Sequence, residues 1–252
     1  MAQEQGVAVV TGGSRGIGAA TCIKIATLGY AVAVNYREQR VKADAVVKAI
    51  TEKGGRAIAI QGDVATEEGV LHLFAETDRT LGRVTALVNN AGVMPAEARV
   101  DEMNWAALAD LWRTNVTSAV ICSREAVLRM SNKNGGQGGS IVNVSSISGR
   151  RGGRERRSHY AASKAAINGF TVGMATELIA EGIRCNAVCP GITATDFHEA
   201  YGGMERITRI GSTLPIGRAA TAEDVANSIA FLVSDESSYI TGILVEIAGG
   251  LI

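Results

Sequence analysis

The sequence predicts an α/β fold in which a doubly wound, seven-stranded parallel sheet carries helices on both faces. Two observations predict this fold class. Short apolar runs such as Gly6–Val10 are almost continuous, as expected of parallel strands that are covered on both faces. Longer helical stretches separate these runs along the whole chain, so each strand is joined to the next by a helical crossover. Because no linker or internal repeat interrupts the alternation, residues 1–252 are predicted to form a single domain.

The predicted elements follow one another in a regular order. After the first strand, residues 17–28 form a helix that ends at Gly29, since glycine often terminates helices. Residues 31–34 form a second buried strand, and residues 41–53 form an amphipathic helix. The later strands are predicted at 57–61, 84–89, 141–145, 184–189 and 243–247, and the later helices at 66–81, 102–131, 159–181 and 221–234.

The segment of about 192–214 is the one long irregular connection. Long connections in compact domains are usually either functional or disordered, and we expect a mobile helical lid over the nicotinamide. A surface helix that packs its apolar face on the domain is the alternative. The apolar residues expected to line the pocket are Val93, Met94, Ile192, Phe197, Tyr201, Met204, Ile207 and Ile210.

Composition excludes several classes of protein. Lys and Arg together number 25, as do Asp and Glu, which argues against a partner such as nucleic acid or a membrane surface. We see no signal peptide and no apolar run long enough to span a membrane, so we expect a cytoplasmic protein. The four cysteines lie in apolar contexts and are expected to be free thiols. Cys185 and Cys189 lack the further ligands that a metal site needs, so no metal is expected.

A glycine-rich turn, Thr11–Gly18, joins the first strand to the first helix. Its glycines permit a tight turn and let backbone N–H groups approach a pyrophosphate at the N-terminus of the helix. No Gly-Lys-Ser/Thr sequence follows, which excludes a P-loop. We therefore predict a dinucleotide site here, the alternative being a turn without a ligand. The contacting residues are predicted to be Gly12, Ser14, Arg15, Gly16, Ile17 and Gly18.

The end of the second strand predicts which dinucleotide binds. NAD sites usually place a carboxylate there to bind the ribose 2′-hydroxyl. In this chain the strand ends in Asn35, Tyr36 and Arg37 instead. Arg37 and Arg15 are suited to bind a 2′-phosphate through charge-assisted hydrogen bonds. We therefore expect NADP(H) to be preferred over NAD(H), the alternative being that Arg37 is only a solvated surface residue.

With these motifs and several others, the chain resembles the single-domain members of the short-chain dehydrogenase/reductase family, such as 3-oxoacyl-acyl-carrier-protein reductases and glucose 1-dehydrogenases. The resemblance covers essentially the whole chain and implies a Rossmann-type sheet. The motifs that carry it are Thr11–Gly18, Asp63-Val64, Asn89–Gly92, Asn115, Ser145-Ser146, Tyr160-x3-Lys164, Pro190-Gly191 and Tyr239–Gly242.

The resemblance also implies the rest of the cofactor site. Asp63 would contact the adenine amino group and Val64 would pack near the ring, while Asn89 would steady the sheet. The adenosine ribose would be bordered by Asn90, Ala91 and Gly92, and the nicotinamide carboxamide would be bound by Pro190, Gly191, Thr193 and Thr195.

A catalytic group is predicted around Tyr160 and Lys164, which lie four residues apart and so project from one face of a helix. Carbonyl reduction needs a proton donor and alcohol oxidation needs a base, yet an ordinary tyrosine has a pKa near 10. A nearby cation lowers that pKa, so Lys164 and the positively charged nicotinamide are expected to tune Tyr160. The resemblance implies that Lys164 also binds the nicotinamide ribose, that Ser146 bonds the substrate oxygen, and that Asn115 holds a water next to Lys164. The alternatives are Ser145 as the serine of the site and an Asn115 that bonds only its local backbone.

These residues together predict an NADP(H)-dependent oxidoreductase that transfers a hydride between the nicotinamide and a small carbonyl or alcohol substrate. A general carbonyl or sugar reductase is the first choice and a 3-oxoacyl-acyl-carrier-protein reductase the second. A cofactor-sensing regulator without catalysis is a remote alternative, while a methyltransferase would leave Tyr160 and Lys164 without a role. By resemblance we expect a homotetramer, with a homodimer as the alternative.

One further segment, Arg150–Arg157, concentrates five arginines between the predicted serine and tyrosine. Such a segment is suited to an anionic substrate or to an acidic partner such as acyl carrier protein. The interpretation that we favour from sequence is a solvated loop or a subunit interface.

Overall fold

The computed structural model describes residues 5–153, 156–195, 197 and 203–251. Its seven strands all run parallel in one sheet, in the order β3-β2-β1-β4-β5-β6-β7. The strands are β1 Gly6–Val10, β2 Tyr30–Tyr36, β3 Ala57–Gln61, β4 Val84–Asn89, β5 Gly139–Val144, β6 Ile183–Pro190 and β7 Leu244–Ile247. The predicted doubly wound sheet is confirmed, and the strand order reverses direction between β1 and β4, where such sheets bind ligands.

The helices cover both faces of this sheet. They are α1 Gly16–Ala26, α2 Arg40–Thr51, α3 Glu67–Thr80, α4 Trp105–Trp112, α5 Ser118–Met130, α6 Ser148–Arg151, α7 Ser158–Leu178, α8 Gly203–Gly211 and α9 Ala222–Val233. Buried side chains of α1, α2 and α9 pack with Ala8 and Val10 of β1 in one apolar cluster. Those of α3, α5 and α7 pack with Val7 and Val9 in a second cluster on the opposite face. Alternate residues of one strand thus serve two cores, which explains why its sequence is apolar throughout.

The helix predicted over 102–131 differs from the observed one. It begins only at Trp105, because the Asn104 side chain caps it by accepting a hydrogen bond from the Ala107 N–H at 2.9 Å. A π-helical turn, Arg113–Thr117, then separates α4 from α5. Such turns insert an extra residue and often occur at functional sites, and this one contains Asn115.

Two connections also differ from expectation. Residues 148–151, which were expected to lie in a loop, form the short helix α6, which ends at Gly152 in the left-handed conformation. Within the predicted lid, Gly203–Gly211 form α8, whereas residues 196 and 198–202 lie outside the described part of the chain. The Tyr201 predicted for the pocket is among them, and Met204 is exposed rather than directed into the pocket.

The remaining sequence-level expectations concern membranes and metals. No described helix is both long and apolar enough to cross a membrane. All four cysteines are buried free thiols. Burial raises the pKa of Cys185 to about 12, which keeps its thiol protonated. The described residues contain no group of three or more His, Cys, Asp or Glu that could hold a metal ion.

Candidate active site

One cavity of about 530 Å³ opens at the carboxyl ends of the strands. This volume is within the range of small-molecule and cofactor sites. The predicted site residues that line it are Gly12, Ser14, Arg15, Gly16, Ile17, Asn35, Tyr36, Arg37, Asp63, Val64, Asn90, Ala91, Gly92, Ser146, Tyr160, Lys164, Pro190, Gly191, Thr193 and Thr195. Two predicted residues, Gly18 and Asn115, do not line the cavity but contact residues that do, namely Gly12 and Val93. The structure therefore brings the predicted cofactor and catalytic residues to a single site.

The glycine-rich turn forms one wall of the cavity. Gly12 and Gly16 have φ angles of 62° and 53°, in the left-handed region that side chains with a Cβ rarely adopt. A Cβ at Gly18 would lie 2.3 Å from the Gly12 carbonyl oxygen, so this packing also requires glycine. Arg15, the residue before α1, makes no side-chain hydrogen bond to the first turn. The N–H groups of that turn thus have no side-chain cap from Arg15, and they carry the positive end of the helix dipole.

Hydrogen bonds with the residues that follow β4 fix the conformation of the glycine-rich turn. The Thr11 hydroxyl oxygen accepts hydrogen bonds from the N–H groups of Asn90 and Ala91, both at 3.0 Å. In return, the Asn90 side-chain amide donates to the carbonyls of Thr11 at 2.9 Å and Gly12 at 3.0 Å. The side chain of Asn90 therefore shapes the glycine turn, and only its backbone and outer surface remain to border a ligand.

The end of β2 contributes a second wall. Asn35 is buried and its side-chain oxygen Oδ1 accepts a hydrogen bond from the Gly12 N–H at 3.2 Å, while its side-chain amide donates to the Gly62 carbonyl at 3.0 Å. Arg37 is half-exposed and pairs with the carboxylate of Glu38 at 2.8 Å. Sequence reasoning missed Glu38, although it lines the cavity next to Arg37. At the neighbouring strand end, the Asp63 carboxylate accepts a hydrogen bond from the Ala65 N–H at 3.0 Å.

Ser146, Tyr160 and Lys164 meet at the end of β5. The Ser146 hydroxyl is close enough to the Tyr160 phenol to lower its pKa, and it accepts a hydrogen bond from the Ser148 N–H at 3.1 Å. Ser145 instead bonds to α7, through the Lys164 carbonyl at 3.0 Å and the Asn168 side chain at 2.6 Å. The structure therefore favours Ser146 over Ser145 as the serine beside the phenol.

The pKa values of Tyr160 and Lys164 are both changed by burial. Burial raises the pKa of Tyr160 to about 12, although the hydrogen bond to Ser146 and the charge of Arg157 act in the opposite direction. Burial also lowers the pKa of Lys164 to about 8. The expectation that Lys164 lowers the tyrosine pKa is thus not met in the chain itself. The ammonium lies 5.9 Å from the centre of the phenol ring and donates a hydrogen bond to the Val144 carbonyl at 2.9 Å.

Asn115 reaches the site from the π-helical turn. Its side-chain oxygen accepts from the Val93 N–H at 2.8 Å, and its amide donates to the Val93 carbonyl at 3.0 Å. Val93 is 22 residues away in the chain, so Asn115 does not bond only its local backbone. A Cβ at Gly92 would lie 3.4 Å from the Asn115 oxygen and 3.7 Å from the Lys164 nitrogen. Asn115 and Lys164 therefore both approach the backbone at Gly92.

Thr193 and its neighbours close the cavity after β6. Residues 192–194 bond to Ala220, with the Ala194 N–H donating to its carbonyl at 2.8 Å. Thr193 is buried, and its hydroxyl has no hydrogen-bond partner among the described residues. A buried hydroxyl on a cavity wall usually has a partner, so this atom suits a ligand that carries a polar group. Thr195 lies opposite the glycine turn, 3.4 Å from where a Cβ at Gly16 would be.

Comparisons with known proteins agree with this arrangement. A family model described as "Enoyl-(Acyl carrier protein) reductase" matches residues 12–252. This chain belongs to the short-chain dehydrogenase/reductase family. The Escherichia coli oxidoreductase YgfF is 44% identical to it over 97% of this chain and 99% of its own length. A 3-oxoacyl-(acyl-carrier-protein) reductase of Synechocystis is 39% identical over 98% of this chain and 96% of its own. A short-chain dehydrogenase of Burkholderia cenocepacia, solved in complex with NADP, is 37% identical with a TM-score of 0.87, and 96% of each chain is covered.

The structure of this short-chain dehydrogenase/reductase also separates the five arginines of Arg150–Arg157. Arg150 pairs with Glu246 at 2.8 Å and Arg156 pairs with Glu102, and neither lines the cavity. Arg151 and Arg157 do line it, whereas residue 154 lies outside the described part of the chain.

Further cavity residues were missed by sequence reasoning. Arg206 of α8 and Leu251 near the C-terminus both line the cavity. Apolar spacing drew attention to α8 only through its aliphatic residues, and nothing in the local pattern distinguishes Arg206 from its neighbour Arg209. The partner of Arg157, Glu97, lies 60 residues away, so no local signal connects them.

Proposed function

We propose that this oxidoreductase transfers a hydride between NADP(H) and a carbonyl or secondary alcohol, with Tyr160 as the acid and base. One observation carries the proposal. Ser146, Tyr160 and the buried Lys164 line the same cavity as the glycine-rich turn. A hydride donor bound by that turn would therefore lie beside a proton donor, as carbonyl reduction requires.

The residues present fit a dinucleotide. The first turn of α1 lacks a cap from Arg15, and the glycine turn has no Cβ where a phosphate would approach. The unpartnered Thr193 hydroxyl suits the nicotinamide carboxamide. When bound, the dinucleotide supplies or accepts the hydride. The residues that would hold it are those predicted from sequence, of which Asn35, Asn90 and Gly18 act mainly by shaping the turn.

The proton chemistry follows from the environment of Tyr160. A phenol with a pKa of about 12 is protonated at neutral pH and is ready to donate to a carbonyl oxygen. Ser146 orients that oxygen through its hydroxyl. Lys164, with a pKa of about 8, is mostly charged at neutral pH and supports the developing phenolate. Asn115 would hold a water next to Lys164 that restores the proton.

Replacing Tyr160 by Phe tests this assignment. The variant keeps the ring and loses the proton, so it should bind NADPH nearly as well as the wild type while turnover falls by roughly 100-fold or more. Nicotinamide fluorescence measures binding and NADPH absorbance measures turnover. Turnover within threefold of the wild type would remove Tyr160 from the mechanism.

NADP(H) is proposed as the preferred cofactor. Arg15 and Arg37 both line the cavity, and the exposed Arg37–Glu38 pair is of the kind that contributes little stability, so Arg37 can exchange Glu38 for a phosphate. The Burkholderia relative in complex with NADP supports the same preference. We expect fluorescence titrations to give tighter binding of NADPH than of NADH.

Two variants sharpen this test. Arg37→Ala should weaken NADPH binding much more than NADH binding, because only NADPH carries the 2′-phosphate. Glu38→Gln should strengthen NADPH binding by roughly two- to threefold, since a like charge is removed at an exposed site. Equal effects on both cofactors would contradict the preference for NADP(H).

A 3-oxoacyl-acyl-carrier-protein reductase is the second candidate, favoured by the relative from Synechocystis. Steady-state kinetics with 3-oxoacyl thioesters and with free carbonyl compounds separate the two candidates. We also propose a homotetramer, because Leu128 of α5, Val172 of α7 and Ile243 near the C-terminus are exposed apolar side chains. Light scattering tests the oligomeric state, and a monomer would contradict it.

A further inference from the structure

The chain turns back toward the candidate active site after β7. Leu251 lines the cavity, although β7 lies at the edge of the sheet. Two consecutive glycines make the turn, Gly249 and Gly250, whose φ angles of 60° and 84° lie in the left-handed region. The Leu251 N–H closes the turn by donating a hydrogen bond to the Ala248 carbonyl at 3.1 Å. The position of Leu251 is therefore set by a backbone conformation that residues with a Cβ rarely adopt.

The segment that follows α8 packs closely on this glycine turn. A Cβ at Gly249 would lie 2.5 Å from Cγ2 of Ile216, and a Cβ at Gly250 would lie 2.8 Å from Cβ of Pro215. The Ile216 N–H also donates a hydrogen bond to the Gly249 carbonyl at 3.1 Å. The two glycines thus allow a contact that fixes the turn, and with it Leu251, against the rest of the domain.

The glycine turn lies on the catalytic side of the cavity. β7 and β3 are the opposite edges of the sheet, and the proposed 2′-phosphate site follows β2, next to β3. Ala248 begins the turn and packs beside Gly191, where a Cβ would lie 3.1 Å from Cα of Ala248 and 3.5 Å from Cδ1 of Ile147. Ile147 directly follows Ser146 and lines the cavity. Leu251 therefore belongs to the side of the cavity where the substrate is proposed to bind.

Aliphatic side chains from separate segments line the cavity on this side. Ile147 follows β5, Ile207 and Ile210 lie on α8, and Leu251 follows β7. Such side chains offer no hydrogen bond, so they discriminate between ligands by the size and shape of an apolar group. Leu251 is part of neither a helix nor a strand, so its size can change without disturbing an element of the fold.

We propose that Leu251 determines substrate size, because its side chain limits the length of the apolar group that a carbonyl substrate can carry toward β7. This inference rests on the proposed function and adds a specificity-determining residue to it. The substrate class that fits such a wall is a carbonyl compound with an aliphatic substituent.

The test uses a series of methyl ketones in which the second substituent is lengthened by one methylene at a time. In the wild type, kcat/KM should rise with chain length, because each added methylene is buried, and should then fall at the length that meets Leu251. Leu251→Ala should move the maximum to longer ketones. The first ketone beyond the wild-type maximum should then gain about tenfold in kcat/KM relative to the shortest ketone. Leu251→Trp should move the maximum to shorter ketones.

Met204→Ala is the matched control, because Met204 is an exposed apolar side chain of α8 that does not line the cavity. This variant should keep the wild-type maximum. Fluorescence titration should give unchanged NADPH binding in all three variants. A variant that only loosens the fold lowers kcat/KM for every ketone alike and does not move the maximum. A maximum at the same chain length in the wild type and in both Leu251 variants would overturn the proposal.

The outcomes separate the size limit from the reaction. If ketones are reduced and the maximum does not move, the role of Leu251 falls and the reductase function stands. If no ketone is reduced, the reductase function falls, and calorimetry with the same ketones in the presence of NADPH decides about Leu251. Ketone binding whose dependence on chain length shifts in Leu251→Ala would support the size limit. An unchanged dependence, or no ketone binding at all, would overturn it.

Discussion

The buried charge of Lys164 destabilises the folded state. Replacing Lys164 by Met should therefore make the protein more stable and remove the proposed activity. Lys164 is buried, and burial lowers its pKa from 10.5 to about 8. A pKa that is lower in the folded state than in the unfolded state means that folding disfavours the charged form of the lysine. Met has a similar length and no charge, so it fills the same space without that penalty.

The size of the effect follows from the pKa. Each tenfold change in proton affinity corresponds to about 1.4 kcal/mol, so the lowered pKa of Lys164 corresponds to roughly 3 kcal/mol of lost stability at pH 7. The variant also loses the hydrogen bond to the Val144 carbonyl at 2.9 Å, which contributes about 1 kcal/mol. The expected net gain is about 2 kcal/mol in the free energy of unfolding.

Urea unfolding of both proteins at two pH values is the assay. Between pH 8 and 10.5 the unfolded chain binds more protons at Lys164 than the folded chain, so the penalty in the wild type disappears as the pH rises. The advantage of the variant should therefore fall to about zero near pH 10. Cys22 and Cys122, whose pKa values are raised by burial, titrate in both proteins and cancel in the difference. A variant that is no more stable than the wild type at pH 7, or an advantage independent of pH, would refute the reasoning.

Two further predictions concern packing. Gly18→Ala would place its Cβ 2.3 Å from a main-chain carbonyl of the glycine turn, so fluorescence titration should show NADPH binding at least tenfold weaker. Gly173→Ala on α7 is the control, since nothing lies within 4 Å of the position of its Cβ. This variant should bind NADPH normally, and its free energy of unfolding should rise by about 0.5–1 kcal/mol. Equal NADPH binding by both variants would contradict the predicted clash. Asn143→Ala should cost about 2–4 kcal/mol in urea unfolding, because Asn143 accepts from Asn89 at 2.9 Å and donates to Thr171 at 2.8 Å inside the sheet. A loss below 1 kcal/mol would show that water replaces these bonds.

The strands were predictable because their chemistry is local. In β1, consecutive residues pack alternately into two apolar clusters on opposite faces of the sheet. Because both faces are buried, the strand is an unbroken apolar run in the sequence. The boundaries of β3 and β4 agree with the prediction to the residue. Parallel order then follows, since each strand is separated from the next by a helix.

The π-helical turn at Arg113–Thr117 was not predictable, because its cause is tertiary. Asn115 bonds to both backbone groups of Val93, which lies in the connection after β4. The spacing of apolar residues indicates which face of a helix is buried. It does not indicate where a π-helical turn adds a residue, as this turn does beside Asn115. The family motif named Asn115, yet only the structure shows how the helix presents it.

The candidate active site was likewise predictable only in part. Its composition could be predicted, because motif spacing places the glycine turn, Ser146 and Tyr160 at strand ends that meet in a parallel sheet. Its electrostatics could not, because the pairs Arg37–Glu38 and Arg157–Glu97 depend on side-chain directions and on distant segments. The effect of burial could not be predicted either, since it raises the pKa of Tyr160 and outweighs the charge of Arg157.

The opposite shifts of Tyr160 and Lys164 have one cause and point to a direction of reaction. Burial favours the uncharged form of each group, a protonated phenol and a neutral amine. Carbonyl reduction, the proposed direction, needs the protonated phenol, and this is the form that burial favours. Alcohol oxidation needs the phenolate, which must be stabilised against burial by the nearby cations Lys164 and Arg157. At neutral pH the phenol is therefore in the form that the proposed reduction needs, and oxidation should require a higher pH. A pH profile in which oxidation has its optimum at a higher pH than reduction would follow from this balance, whereas equal optima for both directions would contradict it.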